Sequence, residues 1–228
     1  MPKSSRSKSA SARRRATSHS ASRRGGDRSS SRTRVTSRPR ATAKLARRSS
    51  ATERRASRPR SSDRGAAIDR ALRDLLIRQL EGGHAYAAFS DAVRDLPAEL
   101  RGIKPNGAAH SPWQVLEHMR ISQWDIVDFS RDPRHRSPAW PSGYWPEDPE
   151  PPDVKAWEAS VREFERELAA MKKLISDPSR DLFEKIDHPE ARAQHTLARE
   201  AMVLSEHNGY HTAEMIALRR LLGAWSRS

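Results

Sequence analysis

Apolar residues recur at spacings of three and four along the C-terminal part of the chain, and this pattern constrains the fold more than any other feature. It runs from about Thr196 to Gly223 and places one face at Leu197, Ala201, Leu204, Asn208, His211, Met215, Leu218 and Leu222. Residues three and four apart share a face of an α-helix. The spacing predicts one helix, ended by Gly223, whose buried face includes the polar residues Asn208 and His211.

Two earlier segments show the same periodicity and predict two more helices. The first runs from about Ala67 to Val93, with apolar residues at Leu72, Leu75, Leu76, Leu80, Tyr86, Phe89 and Val93. The other starts near Asp153 and stops before Pro178, with apolar residues at Val154, Trp157, Val161, Phe164, Leu168, Met171 and Ile175. Proline prevents the second of these helices from continuing, because it lacks the backbone N–H that a helix interior requires.

A further helix, the second in chain order, is predicted from its N-terminal signal. Ser111 is suited to the N-cap, Pro112 to the first helical position, and Gln114 to the third, where it completes a capping box. We expect this helix to continue through Phe129 and to stop before a connection, the crossing loop (residues 131–153), which has seven prolines and three aromatic residues. That composition predicts an ordered loop lying on the domain. Four amphipathic helices without an intervening strand predict an all-α protein, a four-helix bundle.

The first 65 residues differ in composition from the rest of the chain. They contain 21 of the 43 Lys and Arg residues but only 3 of the 29 Asp and Glu residues, and no Phe, Trp or Tyr. Such a segment cannot bury enough apolar surface to fold, so residues 1–65 are predicted to be a disordered Ser/Arg-rich leader before a domain at 66–228. The leader could bind nucleic acid without sequence preference. A solubilising tail and an extension from a misassigned start codon fit equally, and a transit peptide fits less well because an amphipathic face is lacking.

Cysteine is missing from the sequence altogether. The protein therefore has no thiolate nucleophile, no thiolate metal ligand and no disulfide, and sulfur chemistry would require an external thiol. No apolar run reaches the roughly 18 residues needed to cross a membrane, and the N-terminus lacks the apolar core of a secretory signal. We expect a cytoplasmic protein without a membrane partner. The sequence leaves the oligomeric state open, with a homodimer as one option.

Three histidines could meet on the inner face of the predicted bundle. His207 precedes His211 by four residues, so both imidazoles can point in one direction. On the second helix, His118 shares a face with Val115 and Ser122. Three neutral imidazoles from two helices could bind a divalent metal and leave a position open, although such residues also occur on solvated faces and in cores without a metal. The spacing of "HNGYH" is that of zinc proteases, but Asn208 replaces the Glu that would be the general base.

Three segments resemble the DinB-like superfamily, also described as the DinB/YfiT-like metalloenzymes. They are "HSPWQVLEHMRISQWDIVDFS", "WPSGYWP" and "SEHNGYHTAEMIALRRLLGAW", and the similarity spans roughly residues 68–225 without the basic leader. The resemblance implies a four-helix bundle whose divalent metal is bound by His118 from the second helix and by His207 and His211 from the last. The family commonly has Ala at the position of Gly209, a departure that leaves the ligands intact.

The resemblance also implies a class of reaction, because characterised relatives are transferases or isomerases that use small thiols such as bacillithiol or mycothiol. The resulting hypothesis is a metal-dependent S-transferase whose partners are a low-molecular-weight thiol and a small electrophile. Zn is the first choice of metal, with Ni, Fe or Mn as alternatives. The alternative functions are a metal-dependent hydrolase and a non-catalytic metal-binding protein of the stress response.

Other residues could contribute to the pocket. His84 on the first helix and Asp125 on the second are the candidate catalytic groups. Asp125 lies seven residues beyond His118 on nearly the same face of the helix. It could act as a general base or accept a hydrogen bond from a metal ligand. Both are also consistent with ordinary solvated helix residues. Tyr144 and Trp145 in the crossing loop could cover the pocket. No role is assigned to His110, His135, His188 and His195.

Overall fold

The computed structural model describes residues 61–225, which contain five α-helices and two short 3-10 helices. The α-helices are α1 (Ser61–Glu81), α2 (Phe89–Val93), α3 (Pro112–Arg131), α4 (Ala156–Ser176) and α5 (Leu197–Leu221), and the 3-10 helices are Ala98–Leu100 and Ser142–Tyr144. Between residues 61 and 225 no β-strand occurs, and the β-type pairing is a single bridge between Lys185 and Thr196. The predicted all-α class is confirmed, with five α-helices in the described residues where four were expected.

Four of these helices are 20 to 25 residues long and pack against one another. Helix α3 contacts α4 and α5, and α1 contacts the same two helices. The short helix α2 packs against α5. Most of the leader predicted to be disordered lies outside the described residues, but residues 61–65 of it form the first turn of α1. None of the described helices combines the length and apolar character that crossing a membrane would demand.

The prediction of one continuous first helix over 67–93 is wrong. Helix α1 ends at Glu81 and the chain becomes helical again only at Phe89. Gly82 and Gly83 follow α1 with φ angles of +67° and +77°, in the left-handed region that side chains with a Cβ rarely adopt. The two glycines therefore end the helix and do not lie within it, as expected for a left-handed residue after a helix C-terminus.

The predicted start of α3 is confirmed in detail. The Ser111 hydroxyl accepts a hydrogen bond from the Gln114 backbone N–H at 3.2 Å, and the Gln114 side-chain oxygen accepts one from the Ser111 N–H at 3.2 Å. The same side chains hold the crossing loop, because the Ser111 hydroxyl donates to the Pro149 carbonyl at 2.6 Å and the Gln114 amide to the Pro146 carbonyl at 2.9 Å. The proline-rich connection therefore lies against α3.

Two apolar clusters form the core. One includes Leu116, Met119, Trp157, Phe164 and Met215, and the other includes Val127, Met171, Ile175, Leu182 and Leu204. Two residues predicted to be buried are exposed instead, Leu75 at 55% and Val154 at 75% of their surface. Val154 precedes the first residue of α4, so helical periodicity does not apply to it.

A polar link inside the bundle explains Asn208 on the buried face of α5. The Asn208 side-chain amide donates to the Gln123 side-chain oxygen at 2.9 Å, and the Gln123 amide in turn donates to the Phe164 carbonyl. Both side chains are buried, so each needs such a partner to offset the loss of water. The link joins α3, α4 and α5 next to the histidines of α5.

Candidate metal centre

Helices α3 and α5 bring the three predicted histidines together. One ring nitrogen from each of His118, His207 and His211 lies within 4.8 Å of the others. His118 and His211 are buried and His207 is half-buried. The Nε2 atoms of His118 and His207 are 3.1 Å apart. The three side chains therefore meet as their helical spacing predicts.

Hydrogen bonds fix the orientation of two of the rings. His118 Nδ1 lies 3.0 Å from the main-chain carbonyl oxygen of Tyr144, and His211 Nδ1 lies 2.8 Å from Oε2 of Glu214. Both partners only accept hydrogen bonds in these pairs, so each Nδ1 carries the proton. The Nε2 atom of each ring is then the one with a free lone pair, as in metal-binding histidines held by an outer carbonyl or carboxylate.

Burial keeps two of the imidazoles neutral. It lowers the pKa of His118 to about 4 and the pKa of His207 to about 3, and in both cases the neighbouring His211 lowers the pKa further. His118 also contributes to the low pKa of His207. The hydrogen bond from His211 holds the pKa of the Glu214 carboxyl below its usual range, so Glu214 is ionised. Neutral imidazole is the form that donates a lone pair to a metal.

The set of donors fits a divalent transition metal. Three imidazole nitrogens suit Zn, Ni and Fe, and within the described residues neither a carboxylate nor a thiolate belongs to the cluster. The Nε2 lone pair of His118 faces Nε2 of His207, an arrangement that requires a proton or a cation between them.

His207 Nδ1 is buried without a hydrogen-bond partner, and so is Oδ1 of the next residue, Asn208. His207 is thus the ring that hydrogen bonds constrain least.

An aromatic frame surrounds the cluster. The Trp145 ring stacks on His118, with centroids 3.8 Å apart and planes 4° from parallel, and on His110 at 3.7 Å and 14°. His110 Nδ1 also lies 3.5 Å from Glu214 Oε1. The sequence pattern did not indicate a role for His110 or for Glu214. Glu214 lies three residues after His211, a helical spacing that could have suggested it.

A model of the DinB superfamily matches residues 83–215 of the chain. The chain belongs to the DinB superfamily. The matched range contains all three clustered histidines and begins just after α1. No curated protein matches the chain significantly. No solved structure does so either.

In this DinB-superfamily protein, a cavity of about 450 Å³ opens over the three histidines. Its other lining residues are Ser122, Asp125, Ile126, Trp140, Tyr144 and Trp145. The expectation that Tyr144 and Trp145 lie at the pocket agrees with this arrangement. His84 does not line the cavity; its side chain is exposed and donates from Nε2 to the Arg78 carbonyl at 3.1 Å.

Asp125 lines the cavity with both of its oxygen atoms engaged. Oδ2 accepts a hydrogen bond from the Tyr144 hydroxyl at 2.6 Å, and Oδ1 accepts one from His135 Nε2 at 2.7 Å. Burial and the Asp125 carboxylate raise the pKa of Tyr144, so its hydroxyl stays protonated and donates. Since the carbonyl of Tyr144 holds His118, Asp125 is linked to the metal centre through this one residue.

The structure also accounts for Gly209, which lies between the two histidines of α5. A Cβ atom built on Gly209 would lie 3.1 Å from Cζ and 3.2 Å from the hydroxyl oxygen of Tyr86. Tyr86 belongs to the segment between α1 and α2, which the apolar periodicity wrongly predicted to be helical. The absence of a side chain at Gly209 lets this ring approach the backbone of α5.

Proposed function

We propose that this protein is a four-helix-bundle metalloenzyme that transfers a low-molecular-weight thiol to a small electrophile. His118, His207 and His211 would hold the divalent metal, with Zn as the first choice and Ni, Fe or Mn as alternatives. The observation that carries the proposal is the cluster of three imidazoles beneath a cavity of about 450 Å³. Membership of the DinB superfamily supports it.

A bound divalent metal would supply an electrophilic centre that lowers the pKa of a coordinated thiol and makes a thiolate available near neutral pH. The sequence has no Cys, so the thiol would come from outside. Tyr144 and Glu214 keep the Nδ1 protons of His118 and His211 in place. Trp145 covers one face of His118 and limits the access of water to that ring.

We assign Asp125 a positioning role. Its two oxygen atoms already accept hydrogen bonds from Tyr144 and His135, so it is poorly placed to remove a proton from a substrate. Through the Tyr144 hydroxyl it holds the residue whose carbonyl orients His118. Among the described residues no other Asp or Glu lines the cavity, which favours thiol transfer over a hydrolase that would need a general base.

The first test is elemental analysis of purified full-length protein beside three variants, His118→Ala, His207→Ala and His211→Ala. We expect about one metal ion per chain in the wild type and a marked loss in each variant, since each removes one of three ligands. His84→Ala is the matched control, because this exposed histidine lies outside the cavity. Equal metal content in all five proteins would contradict the site.

The second test follows activity with the metal-loaded protein. A panel of small thiols, including bacillithiol and mycothiol, is combined with model electrophiles such as epoxides, alkyl halides and activated alkenes. We expect electrophile consumption that depends on both the thiol and the metal and that His211→Ala abolishes. Full metal content with no consumption of any electrophile would favour a non-catalytic metal-binding protein.

A further inference from the structure

The walls of the cavity above the histidines are mostly apolar and aromatic. Ile126, Trp140, Tyr144 and Trp145 are four of the six residues that line it besides the histidines. In the part of the chain that the structure describes, no Lys or Arg lines the cavity. The charge of Asp125 is already shared between the Tyr144 hydroxyl and His135. Apart from the proposed metal, the described lining thus offers no cation for an anionic ligand and no free carboxylate for a cationic one.

Trp140 is the unusual member of this lining. It is 76% exposed, the most exposed of the large hydrophobic residues that the structure describes. Its contact within the aromatic wall is edge-on to the Tyr144 ring, with centroids 5.4 Å apart. This leaves most of the indole surface open to a ligand. By contrast, the neighbouring Trp145 is already stacked on two histidines.

We propose that the cavity selects electrophiles whose non-reacting part is uncharged and aromatic, and that Trp140 is the specificity-determining residue that stacks on this part. The proposal rests on the proposed function for the reacting end of the substrate. Two features argue for it. An open indole is suited to stacking on a planar apolar group, and a charged group that lies in this cavity away from the proposed metal would lose hydration without gaining an opposite charge.

Binding of two unreactive probes tests the proposal with metal-loaded, full-length protein. The probes are 2-acetylnaphthalene, which is neutral, and naphthalene-2-sulfonate, which has the same ring system, carries a negative charge and is a weak metal ligand. Calorimetric titration should show the neutral probe binding at least about tenfold more tightly, because no Lys or Arg of the described lining meets the sulfonate and the sulfonate binds the metal only weakly. Trp140→Ala should weaken binding of the neutral probe by about 3- to 10-fold, and Trp140→Phe should restore most of the loss.

The matched control is Phe183→Ala, another exposed aromatic residue, at 66%, which does not line the cavity. It should leave binding of both probes unchanged. Circular dichroism and thermal melting of each variant establish that the fold is intact. Equal affinity for the two probes, or unchanged binding in Trp140→Ala, would overturn the proposal. A wild-type dimer that Trp140→Ala converts to a monomer would also overturn it, since Trp140 would then face a second copy of the chain.

Failure of the proposed function gives a different result. If the protein bound the neutral probe through Trp140 but consumed no electrophile with any thiol, the inferred ligand class would stand and the transferase function would be wrong. If the protein were an active transferase whose kcat/KM depended neither on the charge of the remote group nor on Trp140→Ala, the proposed function would stand and the inferred specificity would be wrong.

Discussion

At Gly209, local helix preference and side-chain packing oppose each other. Replacing a helix-interior Gly with Ala ordinarily stabilises a helix by about 1 kcal/mol. Here the new Cβ would lie 3.1 Å from Cζ of Tyr86, closer than an ordinary contact, so the ring would have to move. We expect Gly209→Ala to raise the free energy of unfolding by clearly less than about 1 kcal/mol in the wild type, and by the full amount in a Tyr86→Ala background. Urea denaturation of the four proteins measures the difference, and equal gains in both backgrounds would show that the two residues do not interact.

Glu214 would not bind the proposed metal directly but contacts one of its ligands, His211. Its carboxylate holds the Nδ1 proton of His211 at 2.8 Å, and outer carboxylates of this kind are worth about 10- to 100-fold in metal affinity. We expect Glu214→Ala to weaken Zn binding by about that factor, measured by competition with a chromogenic chelator. Glu206→Ala is the matched control, because Glu206 is an exposed acid on the same helix. If the two variants bound Zn equally, the hydrogen bond would have no role in metal binding.

Between elements, one buried arginine joins the end of α4 to α1. The Arg73 guanidinium is 6% exposed and donates to the carbonyls of Ile175 at 2.7 Å, Asp177 at 2.9 Å and Arg180 at 2.7 Å. These carbonyls lie at or beyond the C-terminus of α4, where the helix itself supplies no donors. The guanidinium thus replaces the hydrogen bonds that α4 cannot make for itself.

Removal of this guanidinium leaves buried acceptors without a partner. We expect Arg73→Ala to lower the free energy of unfolding by about 2 to 4 kcal/mol, and Arg73→Lys by a smaller but measurable amount because lysine cannot reach all three carbonyls. Arg70→Ala is the control, since Arg70 is exposed on the same helix. Urea denaturation curves give the comparison. Similar stability of the Arg73→Ala and Arg70→Ala proteins would contradict the capping role.

The helices also show which parts of the structure are encoded by the local sequence. Helices α3 and α5 were predictable because their N-caps are local: Thr196 accepts from the Arg199 N–H at 3.3 Å, as Ser111 does from Gln114. The break after α1 was missed, although the pair Gly82–Gly83 was a usable signal for it. The helical periodicity predicted one continuous helix across the glycines because Leu80 and Phe89 continue the apolar pattern on both sides of them.

The same distinction applies to the metal centre. His118, His207 and His211 were predictable because each lies on a regular helix, where spacing fixes the direction of a side chain. The hydrogen bond from His118 to the Tyr144 carbonyl and the stack of His110 on Trp145 depend on how the crossing loop folds back onto α3. No periodicity in the sequence encodes such a contact.

For the whole molecule, the proposed metal would connect helices that are distant in sequence. His118 on α3 and His207 on α5 are 89 residues apart along the chain, so the complete ligand set exists only in the folded protein. A ligand that binds only the folded state stabilises it by about 4 kcal/mol at a thousandfold excess over its Kd. We therefore expect Zn to raise the melting temperature of chelator-treated wild type, in proportion to the logarithm of the Zn concentration.

This stabilisation separates a ligand set from a mere cluster of buried histidines. His118→Ala should abolish the rise in melting temperature even where it leaves the metal-free melting temperature unchanged, because the two helices then lose their shared ligand. His84→Ala should melt like the wild type with and without Zn, since its side chain is exposed and outside the cavity. Mg²⁺ should not substitute for Zn, because three imidazoles offer it none of the oxygen ligands it prefers. A melting temperature that no divalent metal changes would mean that packing and the Asn208–Gln123 link alone hold α3 and α5 together.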